Sequence, residues 1–414
     1  MIPSDIRLYS WADVEEVFQR IQKQGEWPRC LVAARGYWDQ LDIEVLPERE
    51  AEAKEWLRSL FESHFRIDPQ GQMTDSFIVL ESASGSDRLL PVFFQESNAS
   101  APLPRLKPSL SKPTVLWKPY PDDWVEPIEP LPPDFPPVVA LHSFKGGVGR
   151  TIHSLALAKA IAKKQQRVLL VDGDLESPGL SWLFPLEGQP ISFADFIVLA
   201  HGDLSPVSEN AIQLTSDRLA NRAKDGIYLL PSFRSAGFTS IQIRPEHLIM
   251  GSKNTFLLTY ILASLGKALN VDAVVVDLRS GLSELATYLI LDPRVHRFLV
   301  TTLSEQSILG TIRLFDILAE RAPAQDSDPP LVSILSQVSD ADRVLVAEAD
   351  RKLQEAARPF IVEDRFMRLV TPRDDGLQVL PASWNEVMTL IERSPLMDAI
   401  DPLVESLLAR PVVV

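Results

Sequence analysis

The sequence holds a single cysteine, Cys30, in 414 residues. One thiol excludes an internal disulfide framework and any cysteine-based zinc site, and its expected state is buried and inert. Histidine is scarce too. The six present are scattered, with no HExxH or paired set, so a metallohydrolase has no support. No GxSxG nucleophile elbow occurs. Basic charge is short: 41 Lys and Arg stand against 56 Asp and Glu, a net of −15. That removes the broad basic footprint of non-specific nucleic-acid or anionic-membrane binding. No uncharged apolar run reaches the ~18–20 residues that span a bilayer. The start, Met1-Ile-Pro-Ser-Asp, lacks the basic-then-apolar pattern of a signal peptide. The expected location is cytoplasmic.

What is present is an ordinary globular balance, 45% apolar and 23% charged, which argues against wholesale disorder. The length suits two domains, each with its own core. Proline marks the division. Twelve of the 33 prolines fall between Pro102 and Pro137, and each fixes φ and removes a donor, so 101–137 is expected to be an extended connector. From Tyr120 to Pro137 it carries five acids and no base. Its aromatic residues Trp117, Tyr120, Trp124 and Phe135 predict that part of it lies against a domain surface.

Residues 1–100 read as a small α+β unit. Trp11, Val14, Val17, Phe18 and Ile21 recur at helical spacing, as do Trp56, Leu57, Leu60, Phe61 and Phe65. The runs CLVAA, DSFIVLES and LLPVFFQ predict strands, with SGSD as a turn between the last two. Nothing in this unit has the residue types or spacing of a catalytic site. From 138 to 414, strand-like runs (VVALHSF, VLLVDGD, IYLLPSF, AVVVDLR, FLVTTLS, LVSILSQ) alternate with amphipathic stretches such as HSLALAKAIAKK. The runs are apolar throughout, which predicts strands buried on both faces of a doubly wound, mostly parallel α/β sheet.

The strongest chemical signal is His142-Ser143-Phe144-Lys145-Gly146-Gly147-Val148-Gly149-Arg150-Thr151, set between a buried strand and a helix. Glycines let the backbone wrap an anion and aim N–H groups at it, and the helix N-terminus adds its positive dipole end. Thr151 is placed to ligate Mg2+, and a cation at 150 can reach phosphates. A dinucleotide fingerprint fits poorly, because Ile152 stands where its last glycine is required.

This loop resembles the deviant Walker A motif KGGVGKT of the ParA/MinD family of SIMIBI-class P-loop NTPases. The resemblance runs on. Val168–Leu180, with Asp172, Asp174 and Pro178-Gly179, is similar to the family's DxD strand. Ala273–Gly281, with Asp277, looks like its Walker B strand. Tyr228-Leu-Leu-Pro-Ser and Thr301-Thr-Leu-Ser-Glu305-Gln-Ser resemble later landmarks. Order and spacing agree over roughly 138–410. The resemblance implies bound ATP and Mg2+, with Lys145 crossing a dimer interface to the partner's phosphates. Gly146, Gly147, Val148, Gly149, Arg150, Thr151 and Ile152 would form the cradle. Thr151 would ligate Mg2+ with Asp172 and Asp277 in or near its outer shell, and Asp174 would orient the attacking water. Gln337, Pro372 and Asp374 match the positions around the base.

Two departures stand out. Arg150 replaces the P-loop lysine; arginine keeps the charge but is larger, planar and differently hydrated, which puts hydrolysis in doubt. Arg279 replaces the Walker B proline. The resemblance therefore implies an ATP-dependent homodimeric switch ATPase with slow hydrolysis that regulates or positions a partner. The alternative is a pseudo-ATPase that holds nucleotide for assembly. The KGGVGRT variant is similar to that of multidomain proteins of bacterial conflict or regulatory systems, which implies a protein partner met through the N-terminal domain or connector. The family's basic membrane-binding C-terminal helix is not matched: SPLMDAIDPLVESLLARPVVV is amphipathic but carries three acids and one base, so core or dimer packing is expected. ParA-like DNA binding lacks a visible basic run.

Overall fold

The computed structural model describes residues 7–36, 39–69, 71, 73–83, 88–97, 130–183, 188–201, 208–234, 256–322, 328–358, 366–381 and 383–408. The SGSD turn, most of the proline-rich connector and Arg410 lie outside these residues. The chain forms two compact units.

In the first unit, helix α1 (Trp11–Gln24) starts on a capping box. The Ser10 side chain accepts from the chain, Asp13 reaches back to the Ser10 amide at 2.9 Å, and Gly25 closes the far end at φ 76°. These caps satisfy backbone groups the helix itself leaves open. The predicted face is buried: Val14, Val17 and Phe18 are fully enclosed. After β1 (Leu31–Gly36) and β2 (Leu41–Val45) comes α2 (Glu50–Phe61). That helix stops short of Phe65, because Glu62 takes φ 48° and breaks the helical path. Phe65 instead opens β3 (Phe65–Ile67), followed by β4 (Ser76–Leu80) and β5 (Arg88–Glu96). The sheet runs β1-β2-β5-β4-β3, antiparallel except for the β2/β5 pair. The Phe18 ring lies 5.9–6.0 Å from those of Trp27, Trp56 and Phe61, so these aromatics are core. Cys30 is buried, and burial pushes its thiol pKa up. A stretch from far downstream, Asp195–Leu214, also belongs to this unit. Asn210 Oδ1 there accepts hydrogen bonds from Ser82 Oγ at 3.0 Å and the Ala83 amide at 3.1 Å.

The second unit is built on a seven-stranded sheet. In chain order its strands are β6 (Val138–His142), β7 (Val168–Asp172), β8 (Ile227–Leu230), β9 (Ala273–Asp277), β10 (His296–Thr301), β11 (Leu331–Val338) and β12 (Phe366–Pro372). They are ordered β12-β11-β10-β6-β9-β7-β8, and every pairing is parallel. All residues of β6, β7 and β9 are buried, as expected of strands covered on both faces. Helix α3 (Arg150–Lys163) buries eight residues, among them Leu155, Leu157 and Ile161. These share one apolar cluster with Val387 and Ile391 of α11 (Trp384–Arg393) and Ile400, Leu403 and Val404 of α12 (Leu396–Leu408). The amphipathic C-terminal helix is thus core. Among the described residues no helix is long and apolar enough to cross a membrane.

Between these lie α4 (Gly179–Leu183), α5 (Phe193–His201), α6 (Glu209–Leu219), α7 (Leu257–Ala268), α8 (Glu284–Leu291), α9 (Glu305–Arg321) and α10 (Arg343–Ala357). The end of the connector rests on α7. The Phe135 ring is 5.4 Å from that of Tyr260, and the Lys267 ammonium sits 5.1 Å from the Phe135 centroid. Strand order reverses around β6, which has β9 on one side and β10 on the other. A ligand is expected outside the carboxyl ends of the strands at such a point.

Candidate functional site

The loop from Ser143 to Gly149 leaves β6 at that switch point and feeds straight into α3. Gly147 and Gly149 take φ of 76° and 90°, a left-handed conformation that side chains strain to adopt. A Cβ on Gly147 would meet no atom within 4 Å. Gly149 is tighter: a Cβ there would come 3.3 Å from Ser336 Oγ and 3.4 Å from Gln337 Nε2. Val148 is buried beneath the loop, and Ile152 packs against the apolar cluster. His153 fastens the helix start. Its Nδ1 donates to the Gly149 carbonyl at 2.8 Å, which leaves Nε2 to accept from Thr371 Oγ1 at 2.9 Å. Burial pushes the His153 pKa down to about 4, keeping the ring neutral.

Three predicted acids converge at the strand ends. Thr151 Oγ1 donates to Asp277 Oδ2 at 2.7 Å, while Asp277 Oδ1 is buried with no hydrogen-bond partner. Asp172 Oδ2 accepts from the Ser181 amide and hydroxyl, both at 2.7 Å. Ser232 Oγ donates to the carbonyls of Asp172 and Asp174 at 2.9 and 3.0 Å. Asp174 Oδ1 accepts the amides of Glu176 at 3.1 Å and Ser177 at 2.7 Å. Burial pushes Asp172 up to about 7, with the nearby Asp277 charge adding to it. Burial also pushes Asp277 up to about 6, against the opposing pull of Arg150 and Thr151.

The predicted cations stand around this acidic floor. Lys145 is exposed, its Nζ 2.9 Å from Gln306 Oε1 at the start of α9. The Arg150 guanidinium donates to the Leu278 carbonyl just past β9. Arg279 pairs with Glu176. Of the base-side candidates, Gln337 reaches the loop, its Nε2 donating to the Gly147 carbonyl at 3.2 Å. Pro372 pairs with Val338 in the β11/β12 register. Asp374 Oδ1 accepts from the Gly376 amide at 2.9 Å.

Sequence reasoning missed Ser181, Ser232, His153 and Gly179. Gly179 and Ser232 lay inside quoted motifs, yet only the fold shows their use. A Cβ on Gly179 would lie 2.8 Å from Thr151 Oγ1, so glycine lets the α4 start approach the hydroxyl. No group of three or more His, Cys, Asp or Glu able to hold a metal occurs among the described residues. Mg2+ on a phosphate ligand would draw one or two oxygens from protein and the rest from phosphates. The residues fit such a group: a hydroxyl, a carboxylate with a free buried oxygen, and an open glycine cradle.

The raised pair has a consequence for the metal-free protein. Both carboxylates titrate above the ordinary 3.8, so folding favours their protonated forms. Their stabilising contribution is fully present below that ordinary value and is lost as pH rises through about 6 to 7. The melting temperature of metal-free protein should fall between about pH 5 and about pH 7.5, and the fall should flatten in Asp172→Asn. Identical slopes in parent and variant would mean that the pair is well solvated.

Residues 139–348 match the CobQ/CobB/MinD/ParA nucleotide binding domain. An uncharacterised ATP-binding protein of Methanocaldococcus jannaschii is 28% identical over 202 residues, 48% of this chain and 63% of that protein. The chain thus spans less than two thirds of the length of this curated relative. Among solved structures, a ParA family ATPase from Chlorobium tepidum aligns with TM-score 0.46 and 18% identity, covering 64% of this chain and 98% of that one. The cell division ATPase MinD of Pyrococcus furiosus aligns with TM-score 0.41 and 21% identity, covering 65% and 97%. With half its length matched by the domain and the glycine-rich loop at the sheet's switch point, the chain belongs to the CobQ/CobB/MinD/ParA family of nucleotide-binding domains.

Proposed function

We propose that this protein is an ATP- and Mg2+-dependent switch that dimerises on nucleotide, hydrolyses it slowly and so regulates or positions a protein partner. The observation that carries the proposal is the open cradle at Gly147 leading to Thr151, whose hydroxyl touches Asp277 beside an unpartnered buried oxygen. Backbone amides of 146–151 would hold the phosphates, with the α3 N-terminus adding its dipole. Thr151 would ligate Mg2+, with Asp277 and Asp172 ordering its outer shell, and Mg2+ there would neutralise phosphate charge. Asp174 would orient a water for attack. Gln337, Pro372 and Asp374 would border the base. Lys145 supports the dimer: it is exposed, and its contact at Gln306 is a neutral one. A cation free to leave such a contact can cross to a second copy's phosphates, where charge-assisted bonds are stronger. Residues 1–100 or the 101–137 connector would meet the partner. The acidic total charge and the core position of α12 argue against membrane or non-specific DNA as that partner.

Titration calorimetry on nucleotide-stripped protein tests the site, and light scattering tests assembly. ATP with Mg2+ should bind and shift the protein to a dimer, and Lys145→Ala should weaken the dimer more than the binding. No heat at ~1 mM ATP would sink the proposal. Normal dimerisation of Lys145→Ala would remove the cross-subunit role.

A further inference from the structure

The ion pair between Arg279 and Glu176 joins the loop after β9 to the loop after β7. Arg279 lies on the loop after β9. That loop rests on the phosphate loop: the Gly281 amide donates to the Ser143 carbonyl at 2.9 Å, and Leu278 accepts from Arg150. Next to Arg279, Ser280 Oγ stands 3.5 Å from where a Cβ on Gly146 would sit. Arg279 is therefore carried at the rim of the cradle. Glu176 lies on the loop after β7, held by the Asp174 carboxylate through its own amide at 3.1 Å. That loop continues to Gly179, against Thr151.

The side chains of Arg279 and Glu176 are 34% and 65% accessible. An ion pair this exposed binds its members weakly, so either can change partner at small cost. A terminal phosphate offers a guanidinium more charge than one carboxylate does, and a geometry that accepts two parallel hydrogen bonds. Resting on the nucleotide site proposed above, we infer that Arg279 is a specificity-determining residue that distinguishes nucleoside triphosphate from diphosphate. Glu176 is its resting counter-ion. When a third phosphate is present, Arg279 exchanges Glu176 for it. The loop carrying Asp174 and Glu176 loses this tie to the β9 loop in the same event and keeps the hydrogen bond from the Gly173 amide to the Asp277 carbonyl at 2.9 Å.

The test measures the affinities of full-length protein for β,γ-imido-ATP and for ADP, each with Mg2+, by titration calorimetry. Arg279→Ala should lower the triphosphate-over-diphosphate preference about tenfold, the scale of one charge-assisted hydrogen bond, by weakening the triphosphate alone. Glu176→Gln removes the competing carboxylate and should raise the preference roughly threefold, the scale of a half-exposed ion pair. Arg279→Lys should recover part of the loss. In the double variant, Glu176→Gln should add nothing to Arg279→Ala. Equal weakening of both nucleotides by Arg279→Ala would show only general attraction and overturn the inference. So would an unchanged preference in Glu176→Gln, which also decides the matter if Arg279→Ala does not fold. If the parent binds neither nucleotide, the site itself is wrong and both conclusions fall.

Discussion

Gly147→Ala is expected to cost about a hundredfold in nucleotide affinity, the loss of two or so amide contacts to charged phosphate. It should leave the fold in place. The two effects separate because the new methyl group meets nothing in the protein. The left-handed φ of 76° makes any side chain there costly by about 1–2 kcal/mol, a sum most folds tolerate. No atom of the protein lies within 4 Å of that Cβ, so there is no clash to unfold the domain. The methyl would stand in open space beside the loop's backbone, where the proposed function puts a phosphate. Gly149→Ala makes a useful contrast, since its Cβ would crowd Ser336 and Gln337 at 3.3 and 3.4 Å and should lower stability as well. Calorimetry with ATP and Mg2+, beside thermal unfolding, checks both. Gly147→Ala with parental affinity would show that the cradle is not the phosphate site.

Asp277→Asn should move stability and binding in opposite directions. In the metal-free protein, the Asp277 carboxylate is buried with one oxygen unpartnered and its pKa raised to about 6. Replacing it by an amide removes a desolvated charge but adds a buried N–H group without an acceptor. The balance should be a gain of about 1–2 kcal/mol in the metal-free protein at neutral pH. The same change takes away the group that completes the Thr151 corner. Mg2+ with ATP at about a hundred times its dissociation constant would stabilise the parent by about 2.7 kcal/mol, and Asp277→Asn should lose most of that increment. A variant that is less stable without ligand, or as strongly stabilised with it, would deny the carboxylate this role. Under the proposed function, an unfavourable buried group would be kept for binding, a common trade at active sites.

Much of this was legible before the structure, for a definite physical reason. Strands buried on both faces, such as Val138–His142 and Ala273–Asp277, read as unbroken apolar runs, and the loop between strand and helix carries its glycines where an anion needs them. Strand Phe366–Pro372 is not legible in the sequence. It is the edge of the sheet, paired on one side only, with mostly half-buried or exposed residues, so its pattern is mixed. Leu41–Val45 alternates over five residues, too briefly to stand out. The site shows the same division. Lys145, Thr151, Asp172, Asp174 and Asp277 announce themselves by position in a motif. The Ser181 and Ser232 hydroxyls that fix Asp172 and its strand end come from elements 9 and 60 residues away, and no local pattern marks them. Nor does sequence tell that Arg150 would turn toward the Leu278 carbonyl.

The place of Asn210 bears on how the protein is made. It lies 128 residues beyond Ser82, whose hydroxyl it accepts, and Asp195–Leu214 belongs with the N-terminal sheet. On the ribosome, where domains generally fold as they emerge, that sheet appears first and waits. Asp195–Leu214 arrives only after the glycine loop, α3 and β7 have been synthesised. A chain released in the connector would therefore leave Ser82 and Ala83 without that partner.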